Sequence, residues 1–138
     1  MGFFDNIMKK VGASLATRYG TVSAGKYEGC SIALGNPPTA KVTTADSFTQ
    51  MIFLKDNEEV ARLDIAQEIT EVAYTETIQF PKTGADGYRC TLTFANGDNC
   101  QFDLMPSKAR VFYSNLKGKM RKETCEFLER EIARLPRG

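Results

Sequence analysis

Apolar and polar positions alternate with a period of two through most of this chain, and the period lengthens to a helical one near the two ends. The alternation is clearest from Tyr88 to Leu104. Tyr88, Cys90, Leu92 and Phe94 share one face, and Cys100, Phe102 and Leu104 form a matching one. A two-residue Asn96-Gly97 loop would set Phe94 opposite Asn99, an aromatic against an amide. A three-residue loop, Ala95-Asn96-Gly97 with Gly97 left-handed, instead sets Leu92 opposite Cys100, Cys90 opposite Phe102 and Tyr88 opposite Leu104. The other face is then Arg89, Thr91, Thr93, Asn99, Gln101 and Asp103, which predicts a sheet with one wet side.

The same period places strands between Lys26 and Phe80. Cys30, Ile32 and Leu34 lie on one face of a short run closed by Gly35-Asn36-Pro37-Pro38. Val42 to Lys55 follows, and its continuous Met51-Ile52-Phe53-Leu54 block predicts a strand buried on both sides or passing a bend. Asp56-Asn57-Glu58 turns the chain into Val60 to Ile65, with Ala61, Leu63 and Ile65 inward. Ala66 to Glu68 suits a helical turn before Ile69 to Tyr74 resumes, and Ile78 and Phe80 precede a Pro81-to-Gly87 loop. About seven strands result, the number of a small sandwich or partly open barrel.

Helical spacing marks the ends. Phe3, Phe4, Ile7, Met8, Val11 and Leu15 make one apolar stripe within residues 1–20, with Lys9 and Lys10 off it, and residues 21–26, which begin with the Ser/Thr/Ala stretch bracketed by Gly20 and Gly25, read as a linker. Such a stripe docks on its own domain, self-associates, or lies in a membrane interface. After Pro106, Ala109, Phe112, Tyr113, Leu116 and Met120 recur at helical steps, continued by Cys125, Phe127, Leu128, Ile132 and Leu135. Ser107 is the expected N-cap. Gly118 either lies inside one helix or separates two, of which the first plugs the barrel. The second, with Glu126 and Arg130 as an i,i+4 pair, covers a sheet edge or meets the N-terminal stripe.

The 138 residues suit one domain, able to bury roughly 70% of its unfolded surface. No apolar run reaches the length of a spanning helix, no signal peptide is evident, and Asn6 departs from the myristoylation pattern that Gly2 would open. A cytoplasmic protein is expected, with peripheral contact at the inner face of the membrane as an option. The net charge of +1 conceals a segregation. From Ser107 onward nine bases face four acids, or +5, and the first twenty residues hold three against one, or +2, which leaves −6 for residues 21–106. Oppositely charged segments either pack on one another or solvate their own surfaces, or they leave basic ends for a phosphate-bearing surface.

Candidate chemistry is sparse. Cys30, Cys90, Cys100 and Cys125 include no C-x-x-C pair and the chain has no histidine, so no metal site or cofactor is expected. The thiols read as reduced core residues, with Cys125, near Arg121 and Lys122, the one whose pKa bases would lower. Without histidine a Ser-His or Cys-His nucleophile cannot form within one chain, and Asp64, Glu68 and Glu71 fall at expected solvent-facing positions. No P-loop occurs, no small-molecule substrate is evident, and catalysis is not expected. Lys117 to Lys122 is densely basic but has no interleaved aromatics, so nucleic acid ranks below membrane and protein partners.

Lys41-Val42-Thr43, Met51-Ile52-Phe53, Ala61-Arg62-Leu63-Asp64-Ile65, Ile69-Thr70-Glu71-Val72, Leu92-Thr93-Phe94-Ala95-Asn96-Gly97 and Phe102 before a helix together resemble the bacterial pleckstrin-homology-like and GRAM-like domains. The resemblance implies a mainly β (α+β) fold: a seven-stranded antiparallel roll over residues 27–120 capped by a C-terminal helix, here with an N-terminal amphipathic helix (1–20), a linker (21–26) and a helical extension (121–138). It also implies a non-enzymatic adaptor that binds lipid headgroups, peptides or other subunits. Phosphoinositide-binding members place several bases around the loop between their first two strands, where this chain offers only Lys41. The residues expected to meet a membrane or partner are Phe3, Phe4, Ile7, Met8, Lys9, Lys10, Lys117, Lys119, Arg121 and Lys122, and the alternative is a structural subunit that self-associates through the same helices.

Overall fold

The computed structural model describes residues 17–36 and 48–134. Seven strands, β1 (Arg18–Gly25), β2 (Ser31–Gly35), β3 (Gln50–Lys55), β4 (Glu58–Asp64), β5 (Ile69–Gln79), β6 (Asp86–Phe94) and β7 (Asn99–Leu104), form one antiparallel sheet in the order β4-β3-β2-β1-β7-β6-β5. A single helical turn, α1 (Ile65–Glu68), joins β4 to β5, and α2 (Ala109–Leu116) and α3 (Lys122–Arg134) follow β7.

The β6–β7 hairpin has the expected register: Tyr88, Cys90 and Leu92 pair with Leu104, Phe102 and Cys100. Phe94 N–H donates to the Asp98 carbonyl across Ala95-Asn96-Gly97, and Gly97 is left-handed at φ 93°. The wet face is also as expected, with Arg89 donating to its cross-strand neighbour Asp103 at 2.9 Å. The β3–β4 hairpin turns through Asp56 and Asn57, both at positive φ, which suits a tight two-residue loop.

The count of seven strands agrees with expectation, but their membership does not. Residues 18–25, placed by their sequence at the end of a helix and in a linker, are β1, the central strand, so Arg18–Gly20 leave the expected helix. Tyr19, Thr21 and Val22 favour a strand, but two glycines, a serine and an alanine among the eight residues dilute that signal, and pairing on both edges, to β2 and β7, makes it a strand. In compensation, Ile69–Tyr74 and Ile78 fall on one eleven-residue strand. Residues 1–16, with the greater part of the expected N-terminal helix, and 37–47, with the start of the expected Val42–Lys55 strand, lie outside the described residues.

The sheet curls into a roll. Phe53 on β3 and Phe94 on β6 stand four strands apart in sheet order, about 19 Å in a flat sheet, yet their ring centroids are 6.1 Å apart. Bulges account for the bending, since an extra residue increases local twist. Three of them fall on Ser23, Thr70 and Thr75, and each hydroxyl donates to a carbonyl of the neighbouring strand, on Gln101, Thr93 and Arg89 respectively. The side chain thus replaces part of the ladder contact that the bulge removes.

α2 closes the roll as expected, with Ala109, Phe112 and Leu116 at 0% exposure. Ser107 is not its N-cap. Pro106 opens a 3-10 turn over Pro106–Lys108, and neither that turn nor α2 receives a side-chain cap. A second 3-10 turn, Lys117–Lys119, contains Gly118 and separates α2 from α3.

α3 covers the β5 edge. Phe127 stacks on Tyr74 at 3.8 Å and meets Tyr88 edge-on at 5.6 Å, while Leu128 is fully buried in the main core. Glu126 lies 4.0 Å from Lys122, one turn before it, rather than pairing toward Arg130. Thr124, 3% exposed, accepts the Tyr74 N–H at 2.9 Å, which supplies an edge-strand donor with a partner. Thr124→Val keeps the shape and removes the acceptor. It is expected to lower unfolding free energy by about 1–3 kcal/mol in urea titration, with Thr124→Ser close to the parent.

Candidate functional site

The described part of the expected contact surface is the turn between α2 and α3. Leu116 anchors the end of α2 in the core, and Met120, extended at φ −95° and ψ 144°, bridges to Val72 on β5. Between these fixed points the chain must cross the surface, and Lys117 and Lys119 stand on that crossing, with Arg121 and Lys122 directly after it at the start of α3.

The structure separates the four bases. Lys119 Nζ donates to the Ala66 carbonyl of α1 at 2.9 Å, and Arg121 Nε to Glu71 Oε2 at 2.8 Å. Lys117 and Lys122 are exposed, with Lys122 85% open and 4.0 Å from Glu126. The Arg121 and Glu71 side chains are 61% and 34% open, and an exposed pair of this kind contributes about 1 kcal/mol or less. The Arg121–Glu71 pair thus joins the basic C-terminal end to the acidic middle of the chain at one point.

Beside this turn lies an open cleft of about 330 Å³ between Phe48, Thr49, Ile65, Asn115, Gly118 and Lys119. Asn115 holds it in shape: its Oδ1 accepts the Phe48 N–H at 2.9 Å and its Nδ2 donates to the Val111 carbonyl at 2.9 Å. Sequence reading did not find Phe48 or Asn115, because they are 67 positions apart. A second cleft, about 170 Å³, opens among Lys26, Tyr27, Leu63, Glu68, Phe94 and Asp98.

The carboxylates weighed for acid–base work have structural partners. Asp64 accepts from the Gln67 N–H, Glu68 accepts from the Asp64 N–H, and together they cap α1. Glu71 holds Arg121. The thiols divide three to one. Cys30, Cys90 and Cys100 are buried, and burial pushes Cys90 and Cys100 up to about 12. Cys125 is the half-buried one, and its pKa is raised, which reverses the expectation from its basic neighbours. Arg121 turns away to Glu71, so burial and the carboxylates of Glu129 and Glu126 outweigh Lys117.

Phe3, Phe4, Ile7, Met8, Lys9 and Lys10 lie outside the described residues, so the structure does not place them relative to the basic turn. Among the described residues no helix is long and apolar enough to cross a membrane. No family model, no curated protein and no solved structure matches the chain.

Proposed function

We propose that this protein is a non-enzymatic attachment module of pleckstrin-homology-like architecture, which meets an anionic membrane surface through the α2–α3 turn and the N-terminal amphipathic stripe. The observation that carries this reading is the turn itself. Lys117 and Lys122 are open to solvent, Lys119 and Arg121 are held by surface contacts, and Lys119 lines the cleft together with Phe48 and Ile65. The architecture is supported by the strand order, a continuous seven-stranded roll closed by a helix after the last strand. The non-enzymatic reading is supported by the lack of histidine, by thiols raised by burial, and by carboxylates engaged in a cap and an ion pair.

A base near an anionic surface contributes about 1 kcal/mol, so neutralising two lowers affinity by about 30-fold. The full chain is expected to co-sediment with phosphatidylserine vesicles at low salt and to release as salt rises. The double variant Lys117→Glu, Lys122→Glu is expected to lose at least that 30-fold, since reversal adds repulsion. Equal pelleting of parent and variant, or binding indifferent to salt, would sink the proposal.

A further inference from the structure

The outer face of the sheet changes character from one half to the other. Over β6 and β7 it is the polar set from Arg89 to Asp103. Over β2 and β3 the same face carries Ala33, Ile52 and Leu54, which are 0%, 6% and 2% exposed and form an apolar cluster separate from the main core. Their neighbours in sequence, Ile32, Leu34, Met51 and Phe53, point into the roll, so alternation directs these three outward. The described side chains on that face are long and polar. Arg62, the partner of Ile52, donates to Glu59, Gln50 and the Asn36 carbonyl, and Arg18, the partner of Ala33, donates to Asn57. Arginine stems shield some of the patch, but isoleucine and leucine together on an outward face stay dry under an apolar cover.

We infer that the cover is the chain's own N-terminal segment, residues 3–15, seated with its Phe3-to-Leu15 stripe on Ala33, Ile52 and Leu54. The point where the chain arrives supports this: Thr17 leads directly into Arg18, whose strand partner is Ala33, so the segment is delivered to the border of the patch. Its length fits. Thirteen residues at helical rise span about 20 Å, and the four strands β1 to β4 are about 14 Å across. A tethered segment has a high effective concentration at its own domain, which favours this seat over the same face of a second copy. The inference does not rest on the membrane reading. If both hold, the stripe seated on the sheet is withheld from lipid, and attachment must displace it.

The test uses the full chain with a photo-crosslinking p-benzoylphenylalanine in place of Ile7. Irradiation of dilute protein is expected to join position 7 to peptides containing Ser31–Gly35 or Gln50–Lys55 within a single chain. The same joins found in a dimer-sized product, joins to other peptides, or no joins at all would overturn the inference. A second variant guards against a probe that disturbs packing: Phe4→Ser with Ile7→Ser leaves every described residue intact. Amide exchange in Ser31–Gly35 and Gln50–Lys55 is expected to speed by about tenfold in that variant while β6 and β7 stay protected. Unchanged exchange in β2 and β3 would also overturn it.

Discussion

Phe112→Ala is expected to remove about 3–5 kcal/mol of unfolding free energy, the largest single effect predicted for this fold. Phe112 is fully buried, lies 5.4 Å from Phe102 on β7 and 6.3 Å from Tyr19 on β1, and stands on a helix of eight residues. A helix so short has little stability in isolation, so α2 keeps its shape by packing. Truncation removes a ring from the middle of the roll and leaves rigid walls around the space, because the sheet cannot curl more tightly without breaking its ladders. Single domains have about 5–15 kcal/mol in all, so the variant is expected near the limit of folding at 37 °C. Urea unfolding followed by far-UV circular dichroism gives the value. A change below about 1 kcal/mol would mean that α2 does not plug the roll.

The second large effect concerns a glycine whose role the primary structure hides. Gly20 lies on β1 where a Cβ would press into the Asp103 carbonyl oxygen, 3.1 Å from its carbon and 3.4 Å from the Leu104 Cα. All three atoms are backbone of β7, so no side-chain rotation relieves the contact. Gly20→Ala must push β1 from β7, at the junction that joins β4-β3-β2-β1 to β7-β6-β5. The expected loss is about 1–3 kcal/mol or more, with faster amide exchange on both strands. Gly118→Ala is the contrast. A Cβ there meets nothing within 4 Å and φ is not positive, so the change is expected to be neutral or stabilising by up to about 1 kcal/mol. Two glycines of equal standing in the sequence thus separate in sign, and a Gly20 variant as stable as the Gly118 one would refute the close approach.

Local patterns were legible where they carry their own geometry. The β6–β7 register followed from matching faces across Gly97, and the two-sided burial of Met51 to Leu54 from an unbroken apolar block. The basic turn was legible as charge, but its division between bound and open bases was not, because Ala66 and Glu71 are 53 and 50 positions away from Lys119 and Arg121. Cys125 differs only in part. Glu71, 50 positions away, draws Arg121 off, but Glu126 and Glu129, which raise its pKa together with burial, stand one and four positions along the same helix and were as legible as the bases.

By itself the sequence determined the strand-rich body, the β6–β7 register and the helical character of the chain after Pro106, since alternation, turn residues and helical spacing act over a few positions. Only the tertiary structure decided that Arg18–Gly25 is the central strand, that hydroxyl-bearing bulges curl the sheet, and that the outer face of β2 and β3 is dry. Each of these depends on a partner strand brought close by the whole fold, and a stretch such as Gly-Thr-Val-Ser-Ala-Gly has too weak a preference to announce it.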